Sequence, residues 1–210
     1  MKTWRIVLAG LLIVVLSSCG PSLYKSNQFD SSVKSVKQVA IIPFNVSIDG
    51  KRLPKGVTLE TVKEFQKKSG YDFQNAAYSW LLRRQQEYSV NFQDIDKTNS
   101  IVKKANLTYD DLMLMDKGEI CKLLGVDAII SGKAAISRPM SDGAAITVGL
   151  IAGYWGSTNK TILTLDIHNV ESDLLWKFDW EVNGSVGSSA EQVTRSLMKK
   201  ASKKFPYKNG

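Results

Sequence analysis

The nine residues Val36-Lys-Gln-Val-Ala-Ile-Ile-Pro-Phe44 decide the fold class of this chain. Within them, Val39 to Ile42 form an uninterrupted apolar run, which is typical of a strand that is buried on both faces of a sheet. Pro43 cannot donate a ladder hydrogen bond, so we expect the strand to end there or to lie exposed. The chain is therefore expected to build a sheet on which other elements pack.

Downstream of this strand, apolar periodicity, capping residues and turn residues predict further helices and strands. The predicted elements are a loop over 45–57, helices over 58–68 and 72–86, a strand over 88–93, helices over 96–105 and 109–124, a strand over 126–136, a hairpin of 161–170 and 174–183, and a last helix opened by the Ser188-x-x-Glu191 capping box. This order predicts an α/β fold with a single mixed sheet of about five strands and packed helices, in one domain over 38–207.

The N-terminus has the pattern of a secretory signal, with Lys2 and Arg5 followed by the eleven apolar residues Ile6 to Leu16. A helix of that length spans about 16 Å, too short for a hydrocarbon core of about 30 Å. The ending Leu16-Ser-Ser-Cys19 resembles the bacterial lipobox, which implies cleavage before Cys19 and lipid attachment to Cys19. The alternative is an ordinary signal peptide with a chance cysteine.

On the lipobox interpretation, residues 1–18 are a lipoprotein signal peptide and residues 19–37, rich in Ser, Lys, Asn and Gln, are a lipidated tether. No acidic residue follows Cys19 directly, and the sorting patterns of such lipoproteins then favour the periplasmic face of the outer membrane. The formal net charge of +8 would suit nucleic acid in a cytosolic protein. In a secreted chain we instead expect this positive charge to face anionic lipid headgroups or cell-wall polymers.

The second cysteine, Cys121, has no partner within the chain if Cys19 is lipidated. It stands among Ile120, Leu123 and Leu124 at helical spacing. We therefore predict a buried and inert thiol there.

Residues that could carry catalysis or bind a metal are few. The single histidine, His168, shares the polar face of a predicted strand with Thr164 and Asp166, and no nucleophile-elbow sequence accompanies it. We predict a surface histidine. Asp94-x-Asp96 lacks the glycine and glutamate of a calcium loop and is expected to cap a helix. One histidine and one free cysteine cannot build a zinc shell, so no catalytic, metal or cofactor site is predicted.

An aromatic row marks the second strand of the predicted hairpin, where Trp176, Phe178, Trp180 and Val182 alternate with charged residues. We interpret the row as the core side of a strand under the last helix. The alternative is a sugar-stacking platform for peptidoglycan or another carbohydrate.

The segment 143–156 is apolar except for Thr147 and carries Ala145, Gly149 and Gly153 at four-residue intervals. This small-xxx-small spacing lets helices approach closely. As a helix the segment would be about 21 Å long, too short to span a bilayer. Three interpretations stay open: a buried connector, a subunit contact in a homo-oligomer through these small residues, and a membrane-inserting element.

Three stretches together resemble one family. They are "VAIIPF" at 39–44, "LLGVDAIISGKA" at 123–134 and "LDIHNVESDLLWKFDWEV" at 165–182. With the lipobox, the chain resembles the CsgG-like and TolB-amino-terminal-like bacterial envelope lipoproteins, including the LpoB-type activators. The resemblance implies a mixed α/β sheet of the anticodon-binding-domain type. It also implies a non-enzymatic lipoprotein that binds other proteins or assembles into rings.

The expected function is a lipid-anchored periplasmic scaffold or accessory protein that acts by protein contacts in envelope assembly or transport. Its expected partners are the membrane, through the lipid on Cys19, and envelope proteins, with no nucleic acid and no cofactor. A homo-oligomer stays open. The alternative is a peptidoglycan- or carbohydrate-binding module, and a CsgG-type secretion channel component or an envelope hydrolase has less support in the residues.

Overall fold

The computed structural model describes residues 21–27, 29–49, 58–137, 160–183 and 190–209. Within these ranges the chain forms one mixed sheet of seven strands, larger than the sheet of about five that the sequence predicts. The strands are β1 (Ser22–Lys25), β2 (Gln38–Ile41), β3 (Asn45–Asp49), β4 (Asn91–Phe92), β5 (Ala128–Ser137), β6 (Lys160–Asn169) and β7 (Leu174–Asn183). The helices are α1 (Phe29–Ser35), α2 (Leu59–Leu82), α3 (Ile95–Lys104), α4 (Tyr109–Leu114), α5 (Lys117–Leu124) and α6 (Ala190–Ala201), with a 3-10 turn at Gln85–Glu87.

The strands lie in the order β1-β7-β6-β5-β2-β4, and β3 also pairs with β5. Strands β5, β6 and β7 form an antiparallel meander, whereas β2 and β3 both run parallel to β5. Val39 is paired with Ala128 and Val46 with Ala134, so β2 and β3 occupy successive parts of one edge of β5. The predicted buried strand is confirmed, and the chain leaves it at Pro43 as expected.

The two faces of the sheet are covered by different helices. The larger core lies under α2 and α6 and includes Val39, Ile41, Phe44, Phe73, Leu81, Ile130, Leu165, Trp176 and Leu197. A smaller core on the other face packs α3, α4 and α5 on Ala40 of β2, on Ile42 just after that strand and on Ile129 of β5. As predicted, Val193, Leu197 and Ala201 of α6 are buried.

The helix boundaries differ from the prediction at two places. The helices expected over 58–68 and 72–86 are one helix, α2, which continues through Gly70. A Cβ atom at Gly70 would lie 2.5 Å from the carbonyl oxygen of Phe44, so the glycine serves a close approach of chains and does not end the helix. Conversely, the predicted helix 109–124 is split into α4 and α5, because Asp116 accepts hydrogen bonds from the Gly118 and Glu119 amides and starts a new helix.

The predicted tether over 19–37 is wrong for the part that the structure describes. Strand β1 is hydrogen-bonded to β7, and α1 follows it with Phe29 and Val36 buried in the larger core. The predicted loop 45–57 begins with strand β3. The predicted strand 88–93 is shortened to β4, although Tyr88, Val90 and Phe92 are buried together as expected.

Cys121 is fully buried within α5, where its Sγ lies 3.8 Å from the carbonyl oxygen of His168. Burial is the main cause that raises the pKa of this thiol to about 12. The prediction of a buried cysteine is confirmed.

The chain segment between β2 and β3 is fixed by Phe44, which packs against a position of β5 that has no side chain. A Cβ atom at Gly132 would lie 2.3 Å from two carbons of the Phe44 ring, and that ring stacks on Phe73 with centroids 5.6 Å apart. The amide of Phe44 donates to the Gly70 carbonyl at 3.0 Å, and its carbonyl accepts from the Tyr109 hydroxyl at 2.6 Å. One residue thus joins the sheet to α2 and α4.

We predict that Gly132→Ala lowers the free energy of unfolding by about 1–3 kcal/mol, because the added methyl group overpacks the Phe44 ring. Phe44→Leu removes part of that ring, so the double variant should lose less stability than the two single losses added together, by about 0.5–3 kcal/mol. Urea unfolding of the four proteins measures this coupling. Gly125→Ala is the control: Gly125 has a φ of 66° and open space around it, so its loss should simply add to that of Phe44→Leu. Additive losses for Gly132→Ala would contradict the packing account.

A second prediction concerns the Cys121 thiol in a Cys19→Ala background, where it is the single cysteine. At pH 8 a thiol with a pKa of about 12 is ionised in roughly one molecule in ten thousand. We expect negligible labelling by iodoacetamide over an hour in the native state and complete labelling in guanidinium chloride, as measured by mass spectrometry. Fast labelling of the folded protein would show that the thiol is accessible.

Candidate functional site

The site residues predicted from the sequence lie outside the described part of the chain. Cys19 precedes the first described residue, and Ala145, Gly149 and Gly153 fall between β5 and β6. Lipid attachment and self-association through these residues therefore stay predictions.

The described residues instead form a polar cleft of about 330 Å³ on the sheet face that carries α4 and α5. Its floor comes from β5, β6 and β7, one wall from the two helices, and another from the chain between β2 and β3. The lining residues are Ile42, Pro43, Asn45, Met113, Lys117, Ser131, Gly132, Lys133, Asp166, His168, Leu174 and Lys177. Residues far apart in the sequence thus meet at one place.

Strand register explains how the polar floor arises. Ser131 is paired with Asp166, and Asp166 is paired with Lys177 across the next ladder. Because alternate residues of a strand share a face, Lys133 and His168 stand on the same side as these three. The opposite side of the same strands carries the buried residues Leu165 and Trp176 and belongs to the larger core.

Helix α5 is pressed against the β6–β7 turn, which places Lys117 beside the floor. A Cβ atom at Gly118 would lie 2.5 Å from the Val170 carbonyl oxygen, so only glycine allows this approach. The Gly118 amide donates to the Ser172 hydroxyl at 3.0 Å, and that hydroxyl donates to Asp116, the N-cap of α5. The turn therefore fixes the position at which the helix starts.

Asp166 is the most buried charged residue of the cleft, with 5% of its surface exposed. Its Oδ1 atom has no hydrogen-bond partner among the described residues. Burial raises the pKa of the carboxyl group, whereas the positive charges of Lys133 and Lys177 act in the opposite direction. Lys177 is itself paired with Asp179, with 3.7 Å between Nζ and Oδ1.

His168 is half-buried in the cleft, so the prediction of a surface histidine is wrong. The strand face was predicted correctly, since Thr164 and Asp166 lie on the same side. The side chain is enclosed because α5 covers this end of the face. Burial lowers the pKa of His168 to about 4, helped by the charges of Lys117 and Lys133, so the imidazole is neutral at pH 7. Its Nδ1 atom has no hydrogen-bond partner in the described ranges.

The cleft offers three ammonium groups, one carboxylate and a neutral imidazole. Ser131 also lines it, but no hydrogen bond between described residues joins its hydroxyl to His168 or Asp166. A serine nucleophile needs such a contact with its base. Across the described ranges, no group of three His, Cys, Asp or Glu side chains is placed to hold a metal ion. The groups that the cleft brings together are charged and hydrogen-bonding side chains.

The aromatic row of β7 packs towards the core. Trp176 and Phe178 are buried and stacked with centroids 5.8 Å apart, and Trp180 is half-buried with Lys200 5.1 Å above its ring, so the predicted core side is confirmed for these three. They form no exposed sugar-stacking platform.

Asp94 accepts hydrogen bonds from two amides at the start of α3, as expected of a cap. Among the described helices, none has both the length and the apolar character needed to cross a membrane.

Comparison with known proteins finds matches among solved structures alone, since no family model and no curated protein matches the chain. Lipoprotein GNA1162 from Neisseria meningitidis is 8% identical with a TM-score of 0.48, over 80% of this chain and 94% of that one. The LpoB C-terminal domain from Salmonella enterica is 8% identical with a TM-score of 0.36, over 74% and 96%. A PelC dodecamer from Paraburkholderia phytofirmans is 11% identical with a TM-score of 0.42, over 91% and 98%. These similarities concern the path of the backbone, and membership of the CsgG-like or TolB-amino-terminal-like family stays a prediction.

Proposed function

We propose that the protein is a lipid-anchored, non-enzymatic accessory protein of the bacterial envelope that acts through contacts with other proteins. The observation that carries the proposal is the N-terminal pattern of Lys2 and Arg5, an apolar run and Leu16-Ser-Ser-Cys19. An N-terminal lipid with several acyl chains anchors firmly, because each buried methylene contributes about 0.8 kcal/mol. The CsgG-like or LpoB-type family and the periplasmic face of the outer membrane belong to the same proposal.

The fold limits how far the domain can lie from the membrane if Cys19 is lipidated. Strand β1 begins at Ser22, three residues after Cys19, and is hydrogen-bonded to β7 along its length. Three extended residues reach about 10 Å at most. A lipid on Cys19 would therefore hold the β1 edge of the sheet close to the membrane surface, instead of letting the domain stand off on a tether of 19–37.

That edge is also a surface suited to protein contacts. In the described part of the chain, β1 has a neighbouring strand on one side only, and its four residues are exposed. Leu23 and Tyr24 expose 41% and 48% of their surfaces there. An exposed strand edge presents unpaired backbone groups to which another chain can add.

For the lipid anchor, we predict that Cys19→Ala abolishes incorporation of an alkyne-tagged palmitate analogue in growing cells and moves the protein from the membrane to the soluble fraction. Cys121→Ala is the matched control and should keep both the label and the membrane association, because its thiol is buried. Labelled Cys19→Ala protein would refute lipidation at this position.

For the protein contact, we predict that a photo-crosslinking amino acid in place of Tyr24 captures the same envelope protein in repeated experiments on intact cells, identified by mass spectrometry. The same group in place of Leu59, which is 71% exposed on α2, should not capture that protein. The adduct should disappear in the Cys19→Ala background if anchoring brings the partners together. Equal capture from both positions would remove the β1 edge from the proposal.

A further inference from the structure

The polar cleft has no role in the function proposed above, and its most buried group has an unused bonding position. Asp166 lines the cleft with 5% of its surface exposed and with Oδ1 unpartnered among the described residues. A buried polar atom without a hydrogen-bond partner is energetically unfavourable. A ligand with a hydroxyl group would supply the missing donor.

Positive charge surrounds this carboxylate. Lys117, Lys133 and Lys177 all line the same cleft, and none forms an ion pair with Asp166 within 4 Å in the described ranges. Lys117 is brought there by the packing of α5 on the β6–β7 turn, and its burial beside Lys133 lowers its pKa. Because Lys177 is paired with Asp179, the three ammonium groups face two carboxylates, which leaves the cleft with an excess of one positive charge that an anion would neutralise.

We propose that this cleft binds a small hydroxylated organic anion of about monosaccharide size. Its phosphate or carboxylate group lies between Lys117, Lys133 and Lys177, and one of its hydroxyl groups donates a hydrogen bond to Asp166. The neutral imidazole of His168 provides a second hydrogen-bonding position at the same end of the cleft.

The dimensions of the cleft fit this class of ligand. Its volume of about 330 Å³ stands at the lower end of the range of about 300–1,000 Å³ that is usual for small-molecule sites. The apolar part of the cleft wall comes from Ile42, Pro43 and Met113, and the carbon skeleton of a polyol can pack against it. A bare inorganic ion would contact the lysines but would leave Asp166 and this wall unused.

The test uses the full-length lipoprotein in detergent micelles and isothermal titration calorimetry with four probes: glucose 6-phosphate, glucuronate, glucose and inorganic phosphate. We expect glucose 6-phosphate or glucuronate to bind at least tenfold more tightly than glucose or phosphate, and the two anions show whether phosphate or carboxylate is preferred. Lys133→Gln, a change at an exposed residue, should weaken binding of the preferred anion about tenfold. Lys199→Gln, the same change of charge at an exposed position of α6, should have no effect.

Asp166→Asn distinguishes recognition from simple attraction of charge. Without the carboxylate the cleft is more positive, so inorganic phosphate should bind more tightly while the preference for the hydroxylated anion falls towards one. A merely structural role of Asp166 would change both affinities in the same direction. The proposal is overturned if neither organic anion binds the wild type, or if Lys133→Gln and Lys199→Gln weaken binding equally.

Discussion

The phenyl ring of Phe44 lies against Gly132 at the point where the chain passes from β2 to β3. A larger residue than glycine would leave no room for the ring, and a smaller residue than phenylalanine would leave a void between β5 and Phe73. The same residue has its amide bonded to Gly70 in α2 and its carbonyl bonded to Tyr109 in α4. Phe44 therefore links two helices to the sheet through its backbone, at the same point where its ring packs on β5.

This contact also lies where the two faces of β5 differ in character. Where Phe44 turns towards the larger core, Pro43 and Asn45 on either side of it form a wall of the cleft on the opposite face. Ile42 still donates to the Ile130 carbonyl at 3.1 Å, so the sheet is held together up to the break. The interruption of one strand thus supplies both a packing contact for the core and an opening over the polar floor.

Much of this fold follows from local signals in the sequence. The apolar run of β2, the Thr108–Asp111 capping box and the left-handed Gly125 each act within a few residues, and the structure contains all three. The predictions fail where the local structure depends on residues that are far away in the sequence. Gly70 resembles a helix break in the sequence, and only its contact with Phe44 shows why a glycine stands inside the helix. Strand β1 has no apolar pattern because it is an edge strand, held by backbone hydrogen bonds to β7.

The cleft could be predicted only in part for the same reason. Alternation along 164–168 places Asp166 and His168 on one face, but nothing near them in the sequence indicates that three lysines from other elements lie close by. A buried carboxylate without a close ion pair, such as Asp166, lowers stability, and a well-packed apolar residue could fill its place at no loss. A buried carboxylate on the sheet, with Lys117 set beside it by α5 and the β6–β7 turn and with no ion pair to that lysine, is therefore better explained by binding of an outside molecule than by stabilisation of the fold.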